Sequence, residues 1–183
     1  MNQNTFSAFY SAHVADVWRF ARRRTDSATE ADDITAEAFA VAWRRRSEVP
    51  ADGGRLWLFG VARNVLANHR RGRERRNRLH LRLATVDPVR SSYEPAPPPD
   101  NEVWVALSGL SDDDQELLLL RAWDELSIAE IATLLRINPA KVSSRLYKAR
   151  AKLRAQLQRR ESRATGHEPS ESHAEGSTTH DGF

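Results

Sequence analysis

A dense run of arginines beside aromatic side chains is the first group of residues whose types suggest a chemistry. From Arg63 to Arg82 the chain has eight arginines and one acid, Glu74, and Trp57 precedes them. Cations follow a phosphate backbone and aromatic rings stack on unpaired bases, a combination that binds single-stranded nucleic acid. The alternative interpretation is that Trp57 is a core residue and that the arginines form the frayed end of a helix. We favour nucleic acid for the arginines and a core position for Trp57 taken alone.

A second group lies on a helix expected to begin at Asn138 and Pro139, because Asn favours the N-cap and Pro the first helical position. A helix capped by Ser127 ends near Leu135, three residues earlier, which is the layout of a helix-turn-helix. The second helix of such a motif presents its N-terminal side chains to bases in the major groove. A solvated basic face on an ordinary helical hairpin is the other interpretation. The candidate DNA contacts are Ala140, Lys141, Ser143, Ser144, Arg145 and Lys148.

A third group is acidic. Asp33 and Glu37 are four residues apart and share one helix face, with Asp32 beside them and Phe39 and Trp43 nearby. Like charges at this spacing slightly destabilise an isolated helix, which favours a basic partner surface. The alternative is that acids in the first turn complement the helix dipole, which accounts for Asp32 and Asp33 better than for Glu37.

Catalysis finds little support in the sequence. There is no nucleophile motif, glycine-rich phosphate loop or spaced set of metal ligands, and His167, His173 and His180 occur at irregular intervals. The absence of cysteine excludes disulfides and thiolate metal sites. The N-terminus lacks a signal-peptide pattern, and no apolar run approaches the roughly 20 residues of a membrane span. We therefore expect a soluble intracellular protein without a cofactor.

A proline-rich stretch divides the chain. Five of the eight prolines lie between Pro88 and Pro99, which indicates an extended linker. We predict a domain at 1–82, a flexible linker at 83–101, a second domain at 102–160 and a disordered acidic tail at 161–183. The tail carries five acids and one arginine, a charge of −4. Because the whole chain has a net charge of +3, residues 1–160 have a charge of +7.

Both predicted domains have the periodicity of amphipathic helices, and no segment alternates apolar and polar residues as a strand would. Thr29 and Asp32 have capping-box spacing, and Pro50, Gly53 and Gly54 indicate a loop. The predicted fold is all-α, with two small helical domains joined by the proline-rich linker and a helix-turn-helix in the second. The expected helices cover about 6–21, 29–46, 55–78, 103–110, 111–123, 127–135 and 138–157.

Two segments resemble bacterial RNA polymerase sigma factors of the sigma-70 family, in the extracytoplasmic-function group. Ala31-Asp32-Asp33-Ile34, followed by Trp57-Leu58-Phe59-Gly60-Val61-Ala62-Arg63-Asn64, is similar to region two, which grips the polymerase clamp and opens the promoter. The segments 126–132 and 142–150 are similar to region four, which reads the minus-thirty-five element. Together with the first helix, the resemblance covers most of residues 5–158.

The resemblance implies a role for each group of residues. Asp32, Asp33, Glu37 and Phe39 would face the clamp of core polymerase, and the helix from Asn138 would read the minus-thirty-five duplex. Asn68, Ser143 and Arg136 depart from the family's frequent Asp, Lys and Gly, so no promoter sequence is implied. The residues implied at the minus-ten element, where a base is flipped out, are Trp57, Arg63, Asn64, Asn68, Arg70 and Arg71.

We therefore predict a sigma factor, a non-enzymatic subunit that gives RNA polymerase its promoter specificity in the bacterial cytoplasm. Its partners would be core RNA polymerase and promoter DNA, with no membrane involved, and the free protein would be a monomer. The sequence leaves open whether an anti-sigma factor also binds it. The alternative is a free-standing helix-turn-helix transcriptional regulator whose N-terminal half only associates with other proteins.

Overall fold

Seven α-helices make up residues 1–83 and 102–165, the two ranges that the computed structural model describes. Neither range contains a strand, and the all-α prediction is confirmed. The proline-rich stretch at 84–101 and the tail beyond Thr165 lie outside the described residues. The helices are α1 (Gln3–Arg22), α2 (Ala28–Arg44), α3 (Gly54–Leu83), α4 (Glu102–Ser108), α5 (Asp112–Ala122), α6 (Ile128–Leu135) and α7 (Pro139–Thr165).

An aromatic pair joins α1 to α3 in the N-terminal half. The rings of Phe20 and Phe59 are fully buried and stack with their centroids 4.7 Å apart. The guanidinium of Arg24 lies 3.7 Å from the centroid of Phe20, and that of Arg55 lies 4.7 Å from the centroid of Phe59. Cations over aromatic faces are attracted by the ring quadrupole, so each arginine reinforces the pair that it covers.

The start of α2 differs from the prediction. Ser27, not Thr29, is the N-cap: its hydroxyl accepts a hydrogen bond from the backbone N–H of Glu30 at 3.1 Å. Ser27 has the extended backbone that an N-cap needs, with φ −135° and ψ 157°, so Thr29 lies inside the first turn. The helix also ends at Arg44, two residues before the expected Arg46.

The predicted loop before α3 depends on its two glycines. Gly53 has φ +85°, in the left-handed region that other residues enter only with strain. A Cβ on Gly54 would lie 2.7 Å from Cε2 of Phe9, so a larger residue would displace that ring. The pair therefore turns the chain and lets α3 begin directly against α1.

The predicted helix-turn-helix is present in the C-terminal half. Helix α6 begins with a capping box between Ser127 and Glu130, and α7 is capped by Asn138, whose Oδ1 accepts from the N–H of Ala140 at 2.8 Å. The three-residue turn contains Arg136 in the left-handed conformation, at φ 55° and ψ 45°. Helix α7 continues to Thr165, five residues past the expected domain end at Arg160.

The two halves pack against each other. Buried side chains of α1–α3 and of α5–α7 form one continuous hydrophobic cluster. Helix α6 lies on α3 at Gly60, where an added Cβ would be 3.6 Å from Cδ1 of Leu134. The division of the chain into two domains and a flexible linker stays a prediction.

Replacing Arg136 with Gly should stabilise the protein. An L-residue in the left-handed conformation costs about 1–2 kcal/mol, and Gly avoids this cost while losing somewhat more backbone entropy. We expect Arg136→Gly to raise the free energy of unfolding by about 1 kcal/mol, measured by urea denaturation. The matched control is Arg136→Ala, which removes the same side chain and keeps the strain. An equal gain in both variants would show that the backbone conformation is not the cause.

Candidate nucleic-acid interface

Helix α3 presents a basic surface to solvent, which we call the α3 basic face. Arg63, Asn64, Asn68, Arg70 and Arg71 are exposed, while Val61, Ala62, Val65 and Leu66 of the same turns are buried. Nη2 of Arg71 donates to Oδ1 of Asn68 at 2.6 Å, so the amide orients the guanidinium. The structure therefore brings together the predicted minus-ten residues, which are Trp57, Arg63, Asn64, Asn68, Arg70 and Arg71.

Trp57 is neither a core residue nor a free surface residue. Its side chain is half-buried and packs against the core cluster, with the guanidinium of Arg45 5.6 Å from the ring centroid. It also lines an open cleft of about 590 Å³ with Arg63 and Asn64. Trp57 is therefore accessible from the cleft while it packs on the core, and its contact with DNA stays a prediction.

The acidic face of α2, formed by Asp32, Asp33 and Glu37, is exposed as predicted. Nε1 of Trp18 donates to Oδ1 of Asp32 at 2.7 Å, and Nε2 of His69 lies 2.9 Å from Oε2 of Glu37. These contacts fix two of the three carboxylates from neighbouring helices. The face therefore keeps a defined geometry.

Phe39 does not lie on this surface, contrary to the expectation that it faces the polymerase. Its side chain is 4% exposed and packs edge-on against Tyr10, with the ring centroids 4.7 Å apart. The reason is its position on α2, four residues after Thr35 and three before Ala42, which are both buried on the inward side of the helix. Phe39 is therefore a packing residue of the N-terminal helices and not part of the acidic face.

The N-terminal half of α7 has a buried seam and an exposed surface, which we call the recognition face. Val142, Leu146 and Ala149 are at most 2% exposed and hold the helix against α5 and α6. Arg145 is half-buried, and its Nη2 donates to Oδ2 of Asp113 at 2.7 Å. The recognition face consists of the predicted contacts Ala140, Lys141, Ser143, Ser144, Arg145 and Lys148.

A charged contact fixes α7 on α5. Nζ of Lys152 donates to Oδ2 of Asp114 at 2.6 Å, and Asp114 is 7% exposed. This hydrogen bond, with the hydroxyl of Ser111, holds the pKa of the Asp114 carboxyl below its usual value. The ionised carboxylate therefore anchors the helix that carries the recognition face.

Sequence reasoning missed an ionic cluster between the two halves, which we call the ionic latch. Arg23 and Arg24, at the end of α1, both donate to the carboxylate of Asp124, after α5. Arg24 also donates from Nε to Oε2 of Glu116 at 2.8 Å. The partners are 92 to 101 residues apart, and among the residues of the latch only the arginine run 22–24 is unusual in the sequence.

Within residues 1–83 and 102–165, no group of three or more His, Cys, Asp or Glu side chains is placed to hold a metal ion. None of the described helices combines the length and the apolar composition that crossing a bilayer requires.

The fold defines the chain as a helix-turn-helix protein, and comparison with known proteins identifies its family. The family models "Sigma-70 region 2" and "Sigma-70, region 4" match residues 9–76 and 100–153. The ECF RNA polymerase sigma factor SigL of Mycobacterium tuberculosis is 32% identical over 155 residues, which cover 82% of this chain and 88% of SigL. The chain therefore belongs to the extracytoplasmic-function (ECF) sigma factors of RNA polymerase.

Two solved structures have a similar fold. The sigma factor RpoE of Bartonella quintana, in complex with the anti-sigma factor NepR, has a TM-score of 0.68 at 20% identity, covering 84% of this chain and 97% of RpoE. CnrH, in complex with the cytosolic domain of CnrY, has a TM-score of 0.63 at 27% identity, covering 86% of this chain and 90% of CnrH. The all-α architecture thus agrees with that of known sigma factors.

Neutralising Asp114 should destabilise the protein in a pH-dependent way. Because the folded-state pKa is lowered, the contribution of Asp114 is present above the unfolded-state pKa and is lost as the pH falls through the folded-state pKa. We expect Asp114→Asn to lower the free energy of unfolding by about 1.5–3 kcal/mol at pH 7, the range for a hydrogen bond to a charged group. Thermal unfolding between pH 7 and acid pH measures this difference.

The control is Asp113→Asn on the same helix turn. The Asp113 side chain is 79% exposed in its pair with Arg145, so its loss should change stability little. A deficit of Asp114→Asn that persisted unchanged below the range of carboxyl pKa values would contradict the assignment.

Proposed function

We propose that this sigma factor binds core RNA polymerase through the acidic face of α2 and directs it to promoters that its two halves recognise. The recognition face of α7 reads duplex DNA at the minus-thirty-five element. The α3 basic face, with Trp57 at its cleft, engages the separated strands of the minus-ten element. The observation that carries this proposal is the recognition face itself, a set of polar and cationic side chains above a buried seam in a helix-turn-helix.

The charges of the three surfaces support this division of roles. Cationic and amide side chains suit phosphates and base edges, so the α3 basic face and the recognition face fit nucleic acid. The acidic face repels phosphates and fits a basic protein surface. A half-buried aromatic ring beside exposed arginines matches the stacking and charge that unpaired bases require.

The family membership supports further proposals. We propose that the protein has no catalytic activity of its own, needs no cofactor, acts in the bacterial cytoplasm and is a monomer when free. RpoE and CnrH were each solved in a complex, RpoE with the anti-sigma factor NepR and CnrH with part of CnrY. This supports an anti-sigma factor as a further partner, alongside core polymerase and promoter DNA.

Reversing two charges of the acidic face should abolish binding to core polymerase. Asp33 and Glu37 are exposed on one side of α2, and arginine at both positions would repel a basic partner surface. We expect the Asp33→Arg, Glu37→Arg variant to lose at least about 100-fold in affinity, since repulsion across an interface costs several kcal/mol. Fluorescence anisotropy with purified core polymerase measures this loss.

A matched control reverses two exposed acids elsewhere, Asp26→Arg with Glu125→Arg, and should bind core polymerase as the wild type does. Binding of duplex DNA should be retained in both double variants. Wild-type affinity of the Asp33→Arg, Glu37→Arg protein for core polymerase would remove the acidic face from the interface and favour the free-standing regulator.

Removing Arg145 should lower the affinity for duplex DNA and reduce the selectivity for one base. A guanidinium that contacts a base is worth about 1–3 kcal/mol of discrimination at one position. We expect Arg145→Ala to lose this much on a duplex selected by the wild-type protein from a random library, and to accept other bases at one position. Repeating the selection with the variant identifies that position.

Asp113→Ala is the complementary variant, because it releases Arg145 from their 2.7 Å ion pair. An exposed pair contributes about 0–1 kcal/mol, so its loss should leave duplex affinity equal or slightly higher. Equal weakening of Arg145→Ala on every sequence, with a salt dependence reduced by about one unit of slope, would make Arg145 a phosphate contact instead.

A further inference from the structure

All the lysines of the chain lie on one helix. The chain has 28 basic residues, of which 25 are arginines and three are lysines, Lys141, Lys148 and Lys152. The three lysines all belong to α7, although this helix holds only six of the 25 arginines. The chain therefore uses arginine for nearly every positive charge and keeps the lysine amine for the helix that carries the recognition face.

The lysines also share one stripe of α7. Lys141, Arg145, Lys148 and Lys152 are spaced by four, three and four residues, and side chains at these spacings follow one another along one face of a helix. All three lysines are exposed to solvent. The stripe is therefore a row of accessible cations along α7, and it suits the phosphates of a duplex.

An amine and a guanidinium differ in the reactions that they can undergo. The guanidinium of arginine stays protonated in proteins, so it offers no electron pair to an electrophile. A lysine Nζ that has lost its proton has such a pair and attacks activated acyl groups. The product is an uncharged amide, which no longer attracts a phosphate. Lysines in a row that also contains arginine are therefore positions at which the charge can be removed by a covalent modification.

The contacts of α7 divide the three amines into two kinds. Nζ of Lys152 donates to Oδ2 of Asp114 at 2.6 Å, so a carboxylate holds this amine in its charged form. Lys141 and Lys148 make no hydrogen bond or ion pair with any residue of 1–83 or 102–165. Their amines are therefore open to a reagent, whereas the amine of Lys152 is engaged.

We propose that Lys141 and Lys148 are acylation sites, and that their acylation switches off the binding of duplex DNA by α7. This inference rests on the proposed function, since it takes α7 as the helix that reads the duplex. The acyl donor is a small acyl phosphate, whose negative charge is attracted by the cationic stripe.

The reaction is an acyl transfer from oxygen to nitrogen. Nζ of the lysine forms a bond to the carbonyl carbon of the donor, and the bond between this carbon and the phosphate oxygen breaks. Inorganic phosphate leaves with the electron pair of the broken bond. Of the two protons that the ammonium group gives up, one goes to the phosphate and the other goes to water.

Acylation of both lysines distinguishes the two basic surfaces of the protein. It removes two positive charges from the recognition face, and each lost phosphate contact lowers the slope of log affinity against log salt concentration by about one. The cations of the α3 basic face are Arg63, Arg70 and Arg71, which do not react. The modification therefore weakens the reading of the duplex and leaves the charge of the proposed minus-ten surface unchanged.

The test treats the full-length protein with acetyl phosphate and follows each amine, including the N-terminal one, by peptide mass spectrometry. The wild type is compared with the Lys141→Arg, Lys148→Arg variant and with Lys152→Arg, the matched control in the same stripe. The affinity of each protein for the selected duplex is measured before and after treatment, so that any effect of the substitution itself cancels. Circular dichroism verifies that the helices are retained.

We expect Lys141 and Lys148 to be acetylated at least about tenfold faster than Lys152, because the hydrogen bond to Asp114 must open before Lys152 reacts. Treatment should lower the duplex affinity of the wild type and of Lys152→Arg at least about tenfold and reduce the salt slope by about two. The Lys141→Arg, Lys148→Arg protein should keep the affinity that it had before treatment. Asp114→Asn should bring the acetylation rate of Lys152 close to that of the other two lysines.

Two results would overturn the proposal. Equal acetylation rates at the three lysines of the wild type would mean that the contacts of α7 do not select the modified amines. Unchanged duplex affinity after Lys141 and Lys148 are acetylated would mean that the modification is not a switch.

The Lys141→Gln, Lys148→Gln protein separates this inference from the proposed function, because it removes the same two charges without the reagent. If this variant binds the selected duplex as tightly as the wild type, the two lysines are not part of the duplex-binding surface, and that part of the proposed function is wrong. If it binds less tightly while acetyl phosphate leaves Lys141 and Lys148 unmodified, the acylation inference alone is wrong.

Discussion

The burial of one carboxylate, that of Asp124, is the constraint on which the arrangement of the two halves depends. Its charge is removed from water, so arginines from the other half must surround it. Arg55, at the start of α3, adds a hydrogen bond to the Asp124 carbonyl oxygen at 3.0 Å. Arg24 and Arg55 also cover the outer faces of the Phe20–Phe59 pair. One ionic centre thus orients the halves and closes the aromatic core of the first.

The helices that carry the recognition face and the acidic face each have a buried side that fixes the helix and an exposed polar side. On α7 the seam of Val142, Leu146 and Ala149 fixes the helix, and the capped turn before it sets the direction in which the recognition face points. On α2, buried Ile34, Ala38 and Phe39 hold the helix whose other side carries the acidic face. The charges that we propose as partner contacts are therefore positioned by buried residues of the same helices.

Local patterns were sufficient to predict the helices, the glycine loop and the helix-turn-helix, because caps and amphipathic periodicity act over a few residues. The start of α2 was wrong because Ser27 and Thr29 both have a carboxylate three residues later, and the spacing alone does not choose between them. Phe39 differs from the expectation because it shares the inward side of α2 with Thr35 and Ala42, while the acids lie on the other side. The latch was not predictable, since an ion pair between residues 100 apart leaves no periodic signal.

The separation of Arg24 and Asp124 along the chain also has a consequence during synthesis. The arginines leave the ribosome 100 residues before the carboxylate that binds them. At a synthesis rate of about 5–20 residues per second, this interval lasts roughly 5–20 seconds. In its last part, after Leu83 has been added, all three N-terminal helices are complete and the C-terminal half is not. A nascent chain therefore passes through a stage in which these helices have no C-terminal half to pack against.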